Sequence, residues 1–239
     1  MYGWRARIAL LIPSPNTTAE PEFNKMAPEG ISIHIERMFH VLSDKEDLNE
    51  YIAMMNKDMI RAVISLATIK PDLIVYTCTG GSMLEEPDYY LKQSKLIFQK
   101  TGIRSITTTA AVIEALKKLR VKKLSVATPY VDKLNEFEKS VLEKNGFQVL
   151  NIKGLGLWST SIGEKYPSEA YRLAKEVDLP EADAVFISCT NFRTIEIIET
   201  LEKDFKKPVI TSNQATLWYS LRNLGISEPI EGYGRLLLL

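Results

Sequence analysis

Two similar stretches decide the fold: LIVYTCTG at residues 73–80 and AVFISCTN at residues 184–191. Each begins with apolar residues, continues through a hydroxyl residue to a cysteine and a threonine, and ends in a turn residue. Apolar runs of this length, bounded by turn signals, are typical of buried strands. Cys78 and Cys189 lie nearly half the chain apart, so we predict two similar halves, each offering one cysteine at an equivalent position.

Elsewhere, apolar runs of strand length alternate with segments of helical periodicity, a pattern typical of parallel βαβ units covered by helices. The sequence therefore predicts an α/β fold of two pseudo-symmetric, parallel-sheet (Rossmann-like) lobes, with the active site in the cleft between them. We place the first lobe at residues 1–109, completed by 212–239, and the second at 110–211. The predicted strands are 5–12, 31–38, 72–76, 123–128, 147–152, 184–188 and 208–211, and the predicted helices are 48–66, 110–119, 132–145, 168–177, 192–203 and 213–224.

Composition excludes several classes of protein. The chain has 239 residues, with 30 basic and 30 acidic side chains and a formal net charge of zero. Nucleic acid or an anionic membrane needs a basic patch or excess, so we expect neither as a partner. Mean hydropathy is −0.08, and no apolar run approaches the ~18 residues of a membrane span. The start lacks a secretory signal, and two distant cysteines make no disulfide framework, so we expect a cytoplasmic protein.

Both cysteines are predicted at the carboxyl ends of parallel strands, the edge of an open α/β sheet where ligands bind. A helix beginning there carries unpaired N–H groups, which would lower the pKa of the thiol below its usual value. One thiol would attack or take a proton and the other would give one, with the hydroxyls of Thr79 and Thr190 beside them. The alternative is two structural cysteines, because free cysteine often packs as a small apolar residue. The duplicated setting favours a joint catalytic role.

Further polar groups are predicted at the same sheet edge. Asn16 follows the first strand and offers an amide donor, although capping a helix is an alternative role for it. Tyr130 holds the matching position in the second half, where its hydroxyl would meet a carboxylate. No cluster of cysteine, histidine and acidic residues has metal-ligand spacing, and no complete nucleotide-binding glycine motif is present. We therefore predict neither a metal nor another cofactor.

Four motifs carry a family resemblance: LIPSPNTTAEPEF at residues 11–23, CTGGS at 78–82, ISCTNFRT at 187–194 and GYGRLL at 232–237. In these motifs the chain resembles the maleate cis-trans isomerase and arylmalonate decarboxylase branch of the aspartate/glutamate racemase superfamily. The resemblance spans nearly the whole chain. It implies two pseudo-symmetric α/β lobes with the site between them, in agreement with the repeat.

The resemblance implies a role for each matching residue. Cys78 matches the first-lobe nucleophile or base, and Cys189 matches the second-lobe acid. In the isomerases the first thiolate adds to the double bond of maleate, the resulting single bond rotates, and elimination gives fumarate. The decarboxylases have a glycine where Cys78 stands, so the two thiols favour isomerase or racemase chemistry. The residues that would bind substrate carboxylates are Asn16, Tyr130, Thr79, Gly80, Thr190 and Asn191.

One segment departs from the resemblance. The isomerases usually carry an asparagine that contacts substrate where this chain has Trp158, Ser159 and Thr160. Thr160, or else Ser159, would replace one hydrogen bond, and Trp158 would change the volume of the pocket. We expect a cofactor-independent isomerase of a small (di)carboxylate, with maleate to fumarate first, in a homodimer or higher homo-oligomer. The open alternatives are an amino-acid racemase with two thiol bases, an arylmalonate-type decarboxylase and a small-acid sensor without activity.

Overall fold

The computed structural model describes residues 1–39, 48–83 and 88–239, with the backbone alone at 48–53, 55 and 56. It contains two parallel sheets of four strands, which repeat one strand order. The first sheet, ordered β2-β1-β3-β4, consists of β1 (Ala6–Pro13), β2 (Ile31–Met38), β3 (Leu73–Tyr76) and β4 (Ser105–Thr107). The second, ordered β6-β5-β7-β8, consists of β5 (Lys123–Thr128), β6 (Gln148–Gly154), β7 (Ala184–Ile187) and β8 (Val209–Thr211). The predicted α/β fold of two pseudo-symmetric lobes is confirmed.

The helices connect these strands and cover both sheets. They are α1 (Ala19–Met26), α2 (Leu48–Ala67), α3 (Thr79–Ser82), α4 (Tyr89–Thr101), α5 (Thr108–Lys118), α6 (Asp132–Lys144), α7 (Thr160–Gly163), α8 (Pro167–Val177), α9 (Ile198–Phe205) and α10 (Ser212–Asn223), followed by a 3₁₀ turn at Arg235–Leu238. Helices α5 and α10 follow the last strand of each sheet and pack on each other, and the Thr216 hydroxyl donates to that of Thr108 at 3.2 Å. Among the described residues, no helix combines the length and apolar composition that a membrane crossing requires.

Strand β1 shows how the apolar pattern builds the core. Ile8, Leu10 and Ile12 point into a large apolar cluster that includes strands of both sheets. Ala9 and Leu11 alternate with them and enter a second cluster under α2. Successive side chains of a strand point to opposite faces, so a strand covered on both sides is apolar throughout. Strand β1 is therefore buried between the two apolar clusters.

The structure differs from the sequence prediction at several elements. Strand β4 and helices α1, α4 and α7 were not predicted, and the helix expected at 192–203 begins only at Ile198. Residues 190–195 instead hydrogen-bond to the segment 16–22 of the first half, so this part of the chain follows the surface of another element. The lobe boundaries remain a proposal: α10 packs on α1 of the first lobe, but also on α5, which lies mostly within the predicted second lobe.

Candidate active site

A cavity of about 650 Å³, including its open mouth, lies at the carboxyl ends of β1, β3, β5 and β7. The predicted site residues that line it are Asn16, Cys78, Thr79, Gly80, Tyr130, Cys189, Thr190 and Asn191. The remaining described lining is Pro13, Pro15, Leu134, Leu157, Trp158, Ser159 and Ile162. The lining therefore carries no charged side chain within the described part of the chain. A small acid bound here would meet neutral donors.

Cys78 lies directly after β3 and caps the short helix α3. Its side chain is 6% exposed, and its Sγ accepts a hydrogen bond from the amide of Gly81 at 3.2 Å. The Ser82 hydroxyl donates to the carbonyl oxygen of Cys78 at 2.8 Å and fixes the turn. An amide N–H aimed at sulfur favours the thiolate form, which is the nucleophilic form of cysteine.

Cys189 occupies the equivalent position after β7 but has a different backbone. Its φ of 92° lies in the left-handed region, which costs a non-glycine residue of order 1–3 kcal/mol. The surroundings hold this conformation, since the amide of Cys189 donates to the Ser212 hydroxyl at 3.0 Å. The sulfur accepts a hydrogen bond from the amide of Asn191 at 3.4 Å, and the hydroxyl of Tyr130 faces it.

Burial raises the pKa of the Cys189 thiol to about 12, and the Tyr130 hydroxyl and Asn191 amide lower it from a still higher value. The expectation of a lowered thiol pKa is therefore wrong for Cys189. No helix begins there, because α9 starts only at Ile198, and loss of solvation outweighs the two donors. Cys189 is a protonated thiol at neutral pH, suited to giving a proton. The pKa of Tyr130 is also raised, first by burial and then by the charge of Cys189, so its hydroxyl remains a donor.

Ser212 joins the two cysteine segments and was not predicted as a site residue. Its Oγ accepts from the hydroxyl of Thr79 at 2.9 Å as well as from the amide of Cys189. It begins α10 directly after β8, at the carboxyl edge of the sheet that carries Cys189. That position, a hydroxyl residue at the end of a predicted strand, was the available signal in the sequence.

Asn16 and Asn191 hold the two halves together at the rim of the cavity. The Asn16 amide donates to Thr190 Oγ1 at 3.0 Å, and its Oδ1 accepts from two amides of its own turn. Asn191 Oδ1 accepts from the amide of Thr17 at 2.9 Å, and its Nδ2 donates to the carbonyl oxygen of Ser159 at 3.2 Å. Both side chains are buried, so their positions are set before a ligand arrives.

Thr160 does not lie where it was expected. It is exposed, begins α7 and does not line the cavity, whereas Trp158 and Ser159 do. Ser159 has a φ of 40°, and the bond from Asn191 to its carbonyl oxygen holds this tight turn against the cavity. The turn brings the residue before α7 to the site and directs Thr160 to solvent.

Glu138 is a buried acid close to the second cysteine. It lies on α6, is 1% exposed, and faces the hydroxyl of Ser188 without a hydrogen bond of normal geometry to either carboxyl oxygen. Burial raises the pKa of Glu138 to about 8, and the Ser188 hydroxyl lowers it from a higher value. Glu138 is therefore largely protonated in the folded protein at neutral pH. Among the described residues, no cluster of histidine, cysteine and acidic side chains could hold a metal ion.

We expect Glu138→Gln to stabilise the fold increasingly as the pH rises from about 5 to about 8. The folded protein holds the proton more tightly than the unfolded chain, so deprotonation over this range favours unfolding, by about 1.4 kcal/mol per unit of raised pKa. Glutamine keeps the shape and does not ionise. Urea unfolding of wild type, Glu138→Gln and the exposed control Glu136→Gln at several pH values measures the effect. Parallel pH dependence for Glu138→Gln and wild type would contradict it.

The fold and cavity define a class: α/β enzymes in which each of two similar lobes provides one cysteine to a shared site. The family model described as arylmalonate decarboxylase matches residues 10–237, and the chain belongs to this family.

Individual relatives fall into two groups. The maleate isomerase of Nocardia farcinica is 29% identical over 245 residues, covering 97% of this chain and 95% of that protein, and the maleate isomerase of Pseudomonas putida is 27% identical with similar coverage. The arylmalonate decarboxylase of Bordetella bronchiseptica is 27% identical but covers only 58% of this chain and 59% of its own length.

A solved structure extends the comparison to the site. A cysteine-to-serine mutant of Nocardia farcinica maleate cis-trans isomerase superimposes with a TM-score of 0.90 at 27% identity, covering 98% of each chain. That structure contains a covalently bound succinylcysteine intermediate.

Proposed function

We propose that the chain is a cofactor-independent isomerase that converts maleate to fumarate, with Cys78 as nucleophile and Cys189 as acid. The observation that carries this proposal is the placement of two buried thiols, neither in a disulfide, on one cavity, one from each half. The maleate isomerases matched over nearly the whole chain support the choice of substrate.

In the proposed reaction, the Cys78 thiolate adds to one olefinic carbon of maleate. A carbon–sulfur bond forms, and the π electron pair moves to the neighbouring carbon, which takes a proton from Cys189. The former double bond is now single and rotates. Return of the proton to Cys189 and departure of the Cys78 thiolate form the trans double bond. The reaction needs no external reactant. Covalent catalysis divides one difficult step, rotation about a double bond, into easier ones.

The substrate carboxylates would bind to uncharged donors. The proposed donors are the side chains of Asn16, Tyr130 and Asn191, and the backbone amides of Thr79, Gly80 and Thr190. The Thr79 and Thr190 hydroxyls already donate to Ser212 and to the carbonyl oxygen of Thr77. Ser159 replaces Thr160 in this proposal, because Ser159 lines the cavity. Donors already held in place by the surrounding structure lose little freedom when a carboxylate binds or when negative charge develops on it.

We expect Tyr130→Phe to lower kcat by about 10–100-fold, because the hydroxyl that faces the Cys189 sulfur and the cavity is lost. The pKa of the Cys189 thiol should also rise in this variant, since the Tyr130 hydroxyl lowers it in the wild type. Isomerisation rates and the pH dependence of Cys189 alkylation in a Cys78→Ser background measure these effects. Tyr90→Phe is the matched control, because that hydroxyl bonds to Asn145, away from the cavity. Equal losses in both variants would contradict the assignment.

Proton NMR in D₂O tests the proposed function directly. We expect purified protein to convert maleate to fumarate, without deuterium exchange at the α-carbon of aspartate or glutamate and without release of CO₂ from phenylmalonate. Exchange of an amino-acid α-hydrogen would favour the racemase, which needs both thiols as bases. CO₂ release would favour the decarboxylase. Binding of these acids without any turnover would favour the sensor.

We also propose that the protein acts in the cytoplasm as a homodimer or higher homo-oligomer. Neither cysteine forms a disulfide, which suits a reducing compartment. Light scattering during size-exclusion chromatography tests the assembly, and a monomer mass would contradict it.

A further inference from the structure

Glu22 is a buried acid outside the cavity that binds the segment following Cys189. It lies on α1, is 3% exposed and does not line the cavity. Its Oε1 accepts from the amides of Thr194 at 2.7 Å and Ile195 at 3.3 Å. Its Oε2 accepts from Asn213 Nδ2 at 2.7 Å. A carboxylate from the first half therefore binds the far end of the segment 190–195.

Asn213 extends this contact to the near end of the same segment. Its Nδ2 also donates to the carbonyl oxygen of Thr190 at 3.0 Å, next to Cys189. Its Oδ1 is buried and has no hydrogen-bond partner. Glu22 and Asn213 together hold both ends of a segment whose amide at Asn191 donates to the Cys189 sulfur.

We propose that Glu22 is a positioning residue for Cys189: in its ionised form it holds the segment 190–195 so that the thiol and its donors face the cavity. The inference rests on the proposed function only for its activity readout. Glu22 touches neither thiol, so its effect on the reaction passes through the backbone between Thr190 and Ile195.

The geometry favours the charged form, because each of the three polar groups that bind Glu22 is a donor. A protonated carboxyl would need an acceptor for its O–H. The buried Asn213 Oδ1 could accept it only if the amide turned over, and Nδ2 would then leave the carbonyl oxygen of Thr190. Protonation therefore breaks one of the bonds that hold the segment.

Burial of the carboxyl makes this protonation accessible near neutral pH. Burial raises the pKa of Glu22 to about 7, the bonds from Asn213, Thr194 and Ile195 lower it from a higher value, and the charge of Glu196 raises it. The other described charges near it are Arg193, whose own pKa the Glu22 charge raises, and Lys25 of α1, which pairs with Glu196 at 3.5 Å.

The direction of the pKa shift of Glu22 distinguishes a loss of positioning from a loss of stability. The pKa of folded Glu22 lies above its ordinary value, so the folded state binds the proton more tightly than the unfolded chain, and acid does not unfold the protein through this group. A loss of activity as the pH falls through about 7 would then occur in folded protein.

The test compares the pH profiles of kcat and KM for wild type, Glu22→Gln and the exposed control Glu20→Gln, which lies on the same helix. We expect wild type and Glu20→Gln to lose activity as the pH falls below about 7, with kcat affected more than KM. Glu22→Gln should have a kcat lower by about tenfold and a weaker acid limb than wild type. The part caused by Glu22 disappears because glutamine cannot ionise, and only the pH dependence of the Cys78 thiolate remains. An unchanged acid limb and kcat in Glu22→Gln would overturn the proposal.

Asn213→Ala provides a second variant. Because the Asn213 bond lowers the pKa of Glu22, its removal should shift the acid limb to higher pH. The rate at which an alkylating reagent modifies Cys189 in a Cys78→Ser background gives a readout without substrate. If wild type does not isomerise maleate but this rate follows Glu22 ionisation, the proposed function fails and the positioning role stands. If Glu22→Gln and Asn213→Ala both leave the acid limb of kcat and the rate of Cys189 alkylation unchanged, the positioning role fails.

Discussion

Replacement of Cys78 by alanine should abolish maleate isomerisation, with a loss of about 10⁴-fold or more in kcat/KM. The reason is chemical: without the first thiolate no covalent bond forms to maleate, and its double bond cannot rotate. The side chain is small and lies at the cavity wall, so the fold should persist. Fumarate formation followed by absorbance or NMR gives the rate, and circular dichroism with thermal unfolding checks the fold.

Cys78→Ser refines this result. Its hydroxyl keeps the size of the thiol and accepts the same bond from the Gly81 amide, but it ionises far less readily and is a weaker nucleophile. We expect nearly the same loss as for alanine. Near-wild-type turnover by either variant would rule out Cys78 as the nucleophile, whatever the substrate.

Cys189→Ser should lower turnover by about 10³-fold or more and leave an adduct with maleate on Cys78. In the variant the Cys78 thiolate still adds to maleate, and water in place of Cys189 gives the neighbouring carbon its proton. Elimination is then slow, because no Cys189 thiolate takes that proton back. Slow completion would let the covalent intermediate accumulate. Intact mass spectrometry should show an increase equal to one maleic acid, and peptide mapping should place it on Cys78.

The double variant Cys78→Ser/Cys189→Ser is the control for this adduct. It should remain unmodified under the same conditions, because residue 189 carries no thiol and residue 78 no effective nucleophile. An adduct on any other residue of the double variant would show non-specific reaction with maleate. Full activity of Cys189→Ser would show that the second thiol takes no part in the reaction.

Much of the fold could be predicted from local patterns. Every described strand except β4 has a recognisable apolar run or alternation. The two copies of the strand–cysteine–threonine pattern placed Cys78 and Cys189 at equivalent strand ends. Strand β4 (SIT) was missed because only one of its three residues is strongly apolar, whereas the equally short β8 (VIT) has two. The late start of α9 was missed because residues 190–195 bind groups far away in sequence.

In the candidate site, too, local sequence patterns predicted some residues, and contacts between distant segments decided others. Residues at the ends of predicted strands, such as Asn16 and Tyr130, could be placed near the cysteines, because carboxyl ends of parallel strands meet at one edge. The choice between Ser159 and Thr160 depended on a single turn held by Asn191, for which the local sequence has no signal.

The sequence by itself determined that two α/β halves would each present a cysteine at a sheet edge, because strand and turn propensities act between near neighbours. Only the tertiary structure decided that Cys189 would be a thiol of raised pKa, and that Glu22 would bind the segment beside it. Both properties depend on which distant groups exclude water from a site and which donors they bring to it.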